Sequence, residues 1–134
     1  MRAKPFAAAV LAMAAAGCAG HSFRDAPLGP AGDASRGRTV FAAREGGHCV
    51  LCHHAPGLSP HGDVGPSLAG LGSRLSPDEI RFRIVDITRI HPEAVMPAFH
   101  RMASLARVAP AYAGRPVLTA AQVEDLVAYL AALK

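Results

Sequence analysis

The chain of 134 residues has no Trp, and aromatic residues make up only 5% of it. A small domain with two Tyr and five Phe has little large apolar surface to bury, so something other than side chains is expected to fill its centre. Apolar runs long enough for a membrane bundle are absent. Charged residues are 18% against 51% hydrophobic, which excludes an intrinsically disordered chain. There is no Ser/His/Asp pattern, no pair of acids beside a candidate base and no phosphate-cradling glycine loop. No alternating strand pattern of useful length occurs, which points to an all-α fold. The formal net charge of +4 is small and forms no basic stripe, so nucleic acid is not an expected partner.

What the N-terminus does have is the pattern of an export signal. Arg2 and Lys4 precede an uninterrupted apolar run from Phe6 to Ala16. A bilayer-spanning helix needs about 20 such residues, whereas a run of this length suits the apolar core of a secretory signal. The run closes on Ala15-Ala16-Gly17-Cys18, which resembles the lipobox of bacterial lipoproteins, with Ala15 where Leu is usual. Lipidation of Cys18 and ordinary cleavage after Ala16 or Ala19 both stay open. Either way residues 1–18 are expected to act as a signal peptide and to direct export to a bacterial periplasm. Residues 19–32, rich in Gly, Pro and Ala, are expected to form a flexible tether. Residues 33–134 are expected to form the domain. Without Arg2 and Lys4 the net charge falls to +2.

Only three cysteines are present. With Cys18 in the processing site, Cys49 and Cys52 remain, in the string Cys49-Val50-Leu51-Cys52-His53. This C-x-x-C-H spacing is that of covalent c-type haem attachment. Two thiols three positions apart can each add to a vinyl group on one edge of a porphyrin. The next residue then sets an imidazole under the iron. A zinc knuckle would need further ligands, for which His54 and His61 are available but no second cysteine pair. A thioredoxin-like dithiol would follow a strand, and none is expected. A disulfide across two residues closes almost no loop and would stabilise little. Covalent haem c also supplies the apolar bulk that the composition lacks.

Three helices are expected around this motif. Asp33 or Ser35 caps one running to Arg44, with Gly37 and Phe41 on one face. Ser76-Pro77-Asp78-Glu79 opens a second that ends before Pro92, with Ile80, Ile84 and Ile87 inward and Arg81, Arg83 and Asp86 facing water. Thr119-Ala120-Ala121-Gln122 is a capping box for a third, running to about Leu133, with Val123, Leu126, Val127 and Leu130 at helical spacing. The terminal helices are expected to cross at Gly37, setting Phe41 against Leu126 and Leu130. This order resembles class I type, mono-haem cytochromes c. The resemblance implies that Pro66, in Gly65-Pro66, accepts a hydrogen bond from the proximal imidazole of His53, with Leu68 as a haem contact.

For the sixth iron ligand, Met96 and Met102 are the methionines outside the signal. Met96 sits in a loop stiffened by Pro92 and Pro97, and Met-Pro is the usual ligand dipeptide of class I cytochromes. Met102 has no such setting. His91 and His100 flank the loop and compete. Met96 is the expected ligand opposite His53. A His/Met-ligated haem has no open position for substrate, so a haem sensor is disfavoured and single-electron transfer is the expected task.

Longer strings narrow the resemblance. Gly65 to Arg74, Arg83-Ile84-Val85-Asp86, Val95 to Arg101, Arg107 to Tyr112, Gly114 to Thr119 and Val123 to Leu130 together resemble the SoxX family, the small cytochrome c subunits of SoxAX complexes. The resemblance spans roughly Gly37 to Leu133. It implies a heterodimer with a SoxA-like larger cytochrome subunit that carries the active-site haem. It further implies transient contact with a SoxYZ-like carrier and a downstream cytochrome. In that reaction thiosulfate is coupled oxidatively to a carrier cysteine, so this chain holds no catalytic residue of its own. The rival reading is a free-standing periplasmic electron shuttle. The apolar connector from Ala103 to Leu118 favours the subunit, because a permanent interface is larger and more apolar than a docking patch.

Overall fold

The computed structural model describes residues 23–103 and 108–134. Among them there is no strand. Four α-helices form: α1 (Ala34–Ala42), α2 (Leu71–Arg74), α3 (Pro77–Asp86) and α4 (Ala120–Ala131). Short 3-10 turns lie at Cys49–Leu51, Ile87–Arg89 and Pro110–Tyr112. The signal segment and the lipobox-like Cys18 lie outside the described residues.

Each long helix starts where its side chains satisfy the free N–H groups of the first turn. Asp33, rather than Ser35, caps α1, its carboxylate accepting from Arg36 N at 2.8 Å. Ser76 and Glu79 form a reciprocal capping box on α3, with Pro77 first in the helix, and Thr119 and Gln122 do the same for α4. Such a cap contributes about 1 kcal/mol. The helices end at Ala42 and Ala131, two residues before the expected ends.

The apolar stripe of α4 is the centre of the fold, and α1, α2 and α3 all pack on this helix. Val123, Leu126, Val127 and Leu130 are buried in one core with Phe41, Ile80, Ile84 and Phe99. The crossing of α1 and α4 falls at Gly37, where a Cβ atom would lie 1.9 Å from the carbonyl oxygen of Asp125. No side chain fits there. One turn on, the ring of Phe41 meets Tyr129 edge-on, 5.7 Å between centroids.

Two expectations need correction. Arg81 and Asp86 do not face water: each is 3% exposed. Arg81 lies against α4 with both Nε and Nη2 donating to the Glu124 carboxylate, at 2.7 and 2.9 Å. Helical spacing separates apolar from charged positions on one helix, but it is blind to an opposite charge supplied by another. Arg83 is half-buried and donates to the carbonyl of Glu79.

The second correction concerns the expected tether. From Phe23 onward the chain is laid along the domain as a strap. Asp25 N donates to the Asp78 carbonyl, Arg81 donates to the Asp25 carbonyl, and Leu28 N donates to Glu124 at 2.8 Å. Asp33 N and the Arg36 guanidinium both reach Asp125. Phe23 packs on Phe82, which also carries the Arg89 guanidinium over its face. Glycine and proline content suggested freedom, but the strap is fixed by residues of α3 and by acids of α4 far along the chain.

Candidate haem site

The motif opens where α1 has ended and the chain turns through His48, whose φ of 45° is left-handed. Cys49–Leu51 then forms a single 3-10 turn. Cys52 N and His53 N both donate to the Cys49 carbonyl, at 3.1 and 2.9 Å. This winds the two cysteines and the histidine into one compact turn. Both cysteines are half-buried, with no disulfide between them.

The following segment folds back over the turn. Gly62 N donates to the Val50 carbonyl, Gly65 N to that of Cys52 and Leu68 N to that of His54. This return places the Pro66 carbonyl 2.8 Å from Nδ1 of His53. A carbonyl can only accept, so Nδ1 donates the proton, and in the neutral ring Nε2 keeps its lone pair for another group. A Cβ on Gly65 would lie 2.4 to 2.8 Å from three atoms of the His53 ring, so only glycine lets the loop pass.

Met96 is half-buried against the same core that holds Leu68 and Phe99 and on which Cys49 also packs. Met102 is 60% exposed. The end of the Met96 loop is stitched to α3 by Phe99 N and His100 N, which donate to the carbonyls of Ile84 and Val85. His100 uses Nδ1 on the Leu118 carbonyl at 2.8 Å, while His91 is exposed. The connector is divided. Leu118 is fully buried and Val117 half-buried, whereas Val108 to Ala111 are exposed, and residues 104–107 lie outside the described residues.

These features fit a covalent porphyrin better than the alternatives. Two cysteines on one turn precede an imidazole whose Nδ1 is tied to the Pro66 carbonyl, which leaves Nε2 to hold an iron. The rings of His54 and His61 lie 4.4 Å apart, yet no group of three or more His, Cys, Asp or Glu side chains among the described residues could hold a metal ion. Zinc therefore lacks a ligand set. The sequence motif signalled Cys49, Cys52 and His53. It gave no sign of the steric demand at Gly65, which becomes visible only once the loop is folded over the ring.

Comparison with known proteins agrees with this geometry. The cytochrome c family model matches residues 34–134. The solved structure of SoxXA from P. pantotrophus superposes with a TM-score of 0.74 at 29% identity, covering 82% of this chain and 88% of the other. A cytochrome c-553-like protein of Synechocystis sp. is 41% identical over 54 residues, 40% of this chain. That match spans 45%, less than half, of the relative's own length. With haem c held through Cys49 and Cys52, this chain belongs to the cytochrome c family, as a SoxX-like mono-haem member.

Proposed function

We propose that this chain is the electron-transfer subunit of a SoxAX-type L-cysteine S-thiosulfotransferase. The observation that carries the reading is the likeness to SoxXA over most of both chains, at a level of identity that goes beyond fold alone. Coupling thiosulfate to a carrier thiol forms an S–S bond and releases one proton and two electrons. A SoxA-like partner would hold the reacting groups, and a SoxYZ-like protein would carry the cysteine. This chain would take the electrons one at a time and pass them to a downstream cytochrome. When bound, the haem supplies one iron that cycles between ferric and ferrous states.

The chain's own residues set how that iron behaves. His53 would ligate it through Nε2, with Pro66 orienting the ring and raising its basicity through Nδ1. Met96 would supply a sulfur ligand, which favours the ferrous state and raises the potential. Leu51, Val64, Val95 and Met102 are exposed apolar residues on or close to the loops that carry His53 and Met96. Exposed apolar side chains at these positions are available to a second subunit. Export would place the protein in the periplasm, with a lipid at Cys18 holding it to the membrane.

The test is to mix the purified holo-protein with a SoxA-like partner, a SoxYZ-like carrier and thiosulfate, and to follow reduction of this haem. Reduction that requires all three, together with a stable heterodimer on gel filtration, is expected. A monomer that is reduced only by unrelated cytochromes would identify a free shuttle instead.

A further inference from the structure

Asp86, expected on the water side of α3, is buried at the point where the Met96 loop begins. Its two carboxylate oxygens serve opposite ends of that loop. Oδ1 accepts from both the N–H and the hydroxyl of Thr88, at the loop's start. Oδ2 accepts from Nη1 of Arg101, at the loop's end, at 2.8 Å. The same Nη1 lies 3.2 Å from the Thr88 hydroxyl, so the three side chains close a small ring. The Arg101 Nε is buried without a partner, and Asp86 and Thr88 are its only hydrogen-bonding anchors among the described residues. Burial pushes the Asp86 carboxyl up, but the Thr88 hydrogen bonds and the Arg101 charge outweigh it and hold the group below its ordinary range. The carboxylate is thus charged at neutral pH and its pair is made.

We propose that Asp86 and Arg101 form a clasp that closes the Met96 loop and positions its sulfur on the haem iron. Fixing both ends of residues 88–101 at one carboxylate lowers the loop's freedom before the ligand bond forms. The backbone bonds from Phe99 and His100 to α3 run beside the clasp and would loosen with it. A neutral side chain at position 86 leaves the guanidinium without its counter-charge, which favours a state with the loop detached. The inference rests on Met96 being the ligand, and the two claims separate in one experiment.

An external ligand can reach ferric iron only from the fraction of molecules in which the protein sulfur has left. Its apparent affinity therefore reports the open fraction. Imidazole is titrated into the ferric holo-protein, and the weak red absorption band of sulfur–iron ligation is followed in parallel. Asp86→Asn is expected to tighten imidazole binding about tenfold or more and to weaken the band, with the covalent haem and helix content retained. Arg101→Gln, at a half-exposed side chain, is expected to do the same, and Arg101→Lys to recover part of the loss. The double variant should be no worse than either single one, because the pair acts as a unit and neither charge is left stranded. Clasp variants that lower only the thermal midpoint, with imidazole affinity and the band unchanged, overturn the positioning role. Should Met96→Ala leave both readouts unchanged, the ligand assignment itself fails, whatever the clasp variants do.

Discussion

Gly65 leaves no room for even a methyl group beside His53, since a Cβ there would meet the ring at 2.4 Å. Gly65→Ala must tilt the imidazole or push the loop away, and both stretch the bond from Nδ1 to the Pro66 carbonyl. Overpacking of this kind costs about 1–3 kcal/mol. A weaker bond at Nδ1 also makes the imidazole a poorer electron donor, so the ferric state is less favoured. The expected result is a haem still bound through Cys49 and Cys52, a lower thermal midpoint and a higher potential in a redox titration. A normal potential alongside a lowered midpoint would mean that the ring's orientation does not tune the iron. At this scale the sequence was most informative where covalent chemistry dictates residue type and spacing, as in Cys49, Cys52 and His53. Gly65-Pro66 was legible through its resemblance to other cytochromes c. Asp86 was misplaced because a lone carboxylate on a helix carries no mark of the arginine that will meet it.

Caps made the starts of α3 and α4 readable, because a capping box is a local code within four residues. The packing between them was only half readable. The apolar stripe of α4 gave its core face, but Glu124 and Asp125 are also buried, the first by Arg81 and the second by Arg36 and the strap. Hydrogen bonds from Arg81 outweigh burial and hold Glu124 below its ordinary value of 4.5, and those from Arg36 hold Asp125 below 3.8. A carboxylate depressed on folding stabilises the fold fully above its unfolded value. That contribution fades as pH falls through the lower, folded-state value. Thermal midpoints are therefore expected to be level down to about pH 5 and to drop below about pH 4. Glu124→Gln should flatten part of that acid slope, while a slope unchanged by the substitution would place the acid sensitivity elsewhere. At neutral pH, Arg81→Met strands a buried carboxylate and is expected to cost about 3–5 kcal/mol. Arg81→Met with Glu124→Leu should recover most of that in a denaturant titration.

For the whole molecule, the strap changes how far a lipid at Cys18 could hold the domain from a membrane. A free tether over residues 19–32 would reach about 50 Å at full extension. With Phe23 packed on Phe82 and Asp25 bonded to Asp78 and Arg81, only residues 19–22 lie between the lipid site and the domain. Five Cα steps span at most about 18 Å. A lipidated protein would thus keep the Phe23 end of the domain close to the bilayer, which restricts the directions from which a large partner can approach. Glycine and proline content misled the reading here because composition reports local stiffness, whereas the strap is fixed by long-range bonds to α3 and α4. Two measurements separate anchor from strap. Cys18→Ala should move the mature protein from the membrane to the soluble fraction, and a parent protein already soluble would remove the anchor. Trypsin added to membrane-bound protein tests the strap at the Arg24–Asp25 bond, which must leave the domain surface to be cut. Release of the domain should be slow in the parent and about tenfold faster or more in Glu124→Gln, where the strap's partner is weakened. Rapid release from the parent, at a rate that Glu124→Gln does not alter, would show that this stretch is free after all and restore the longer reach.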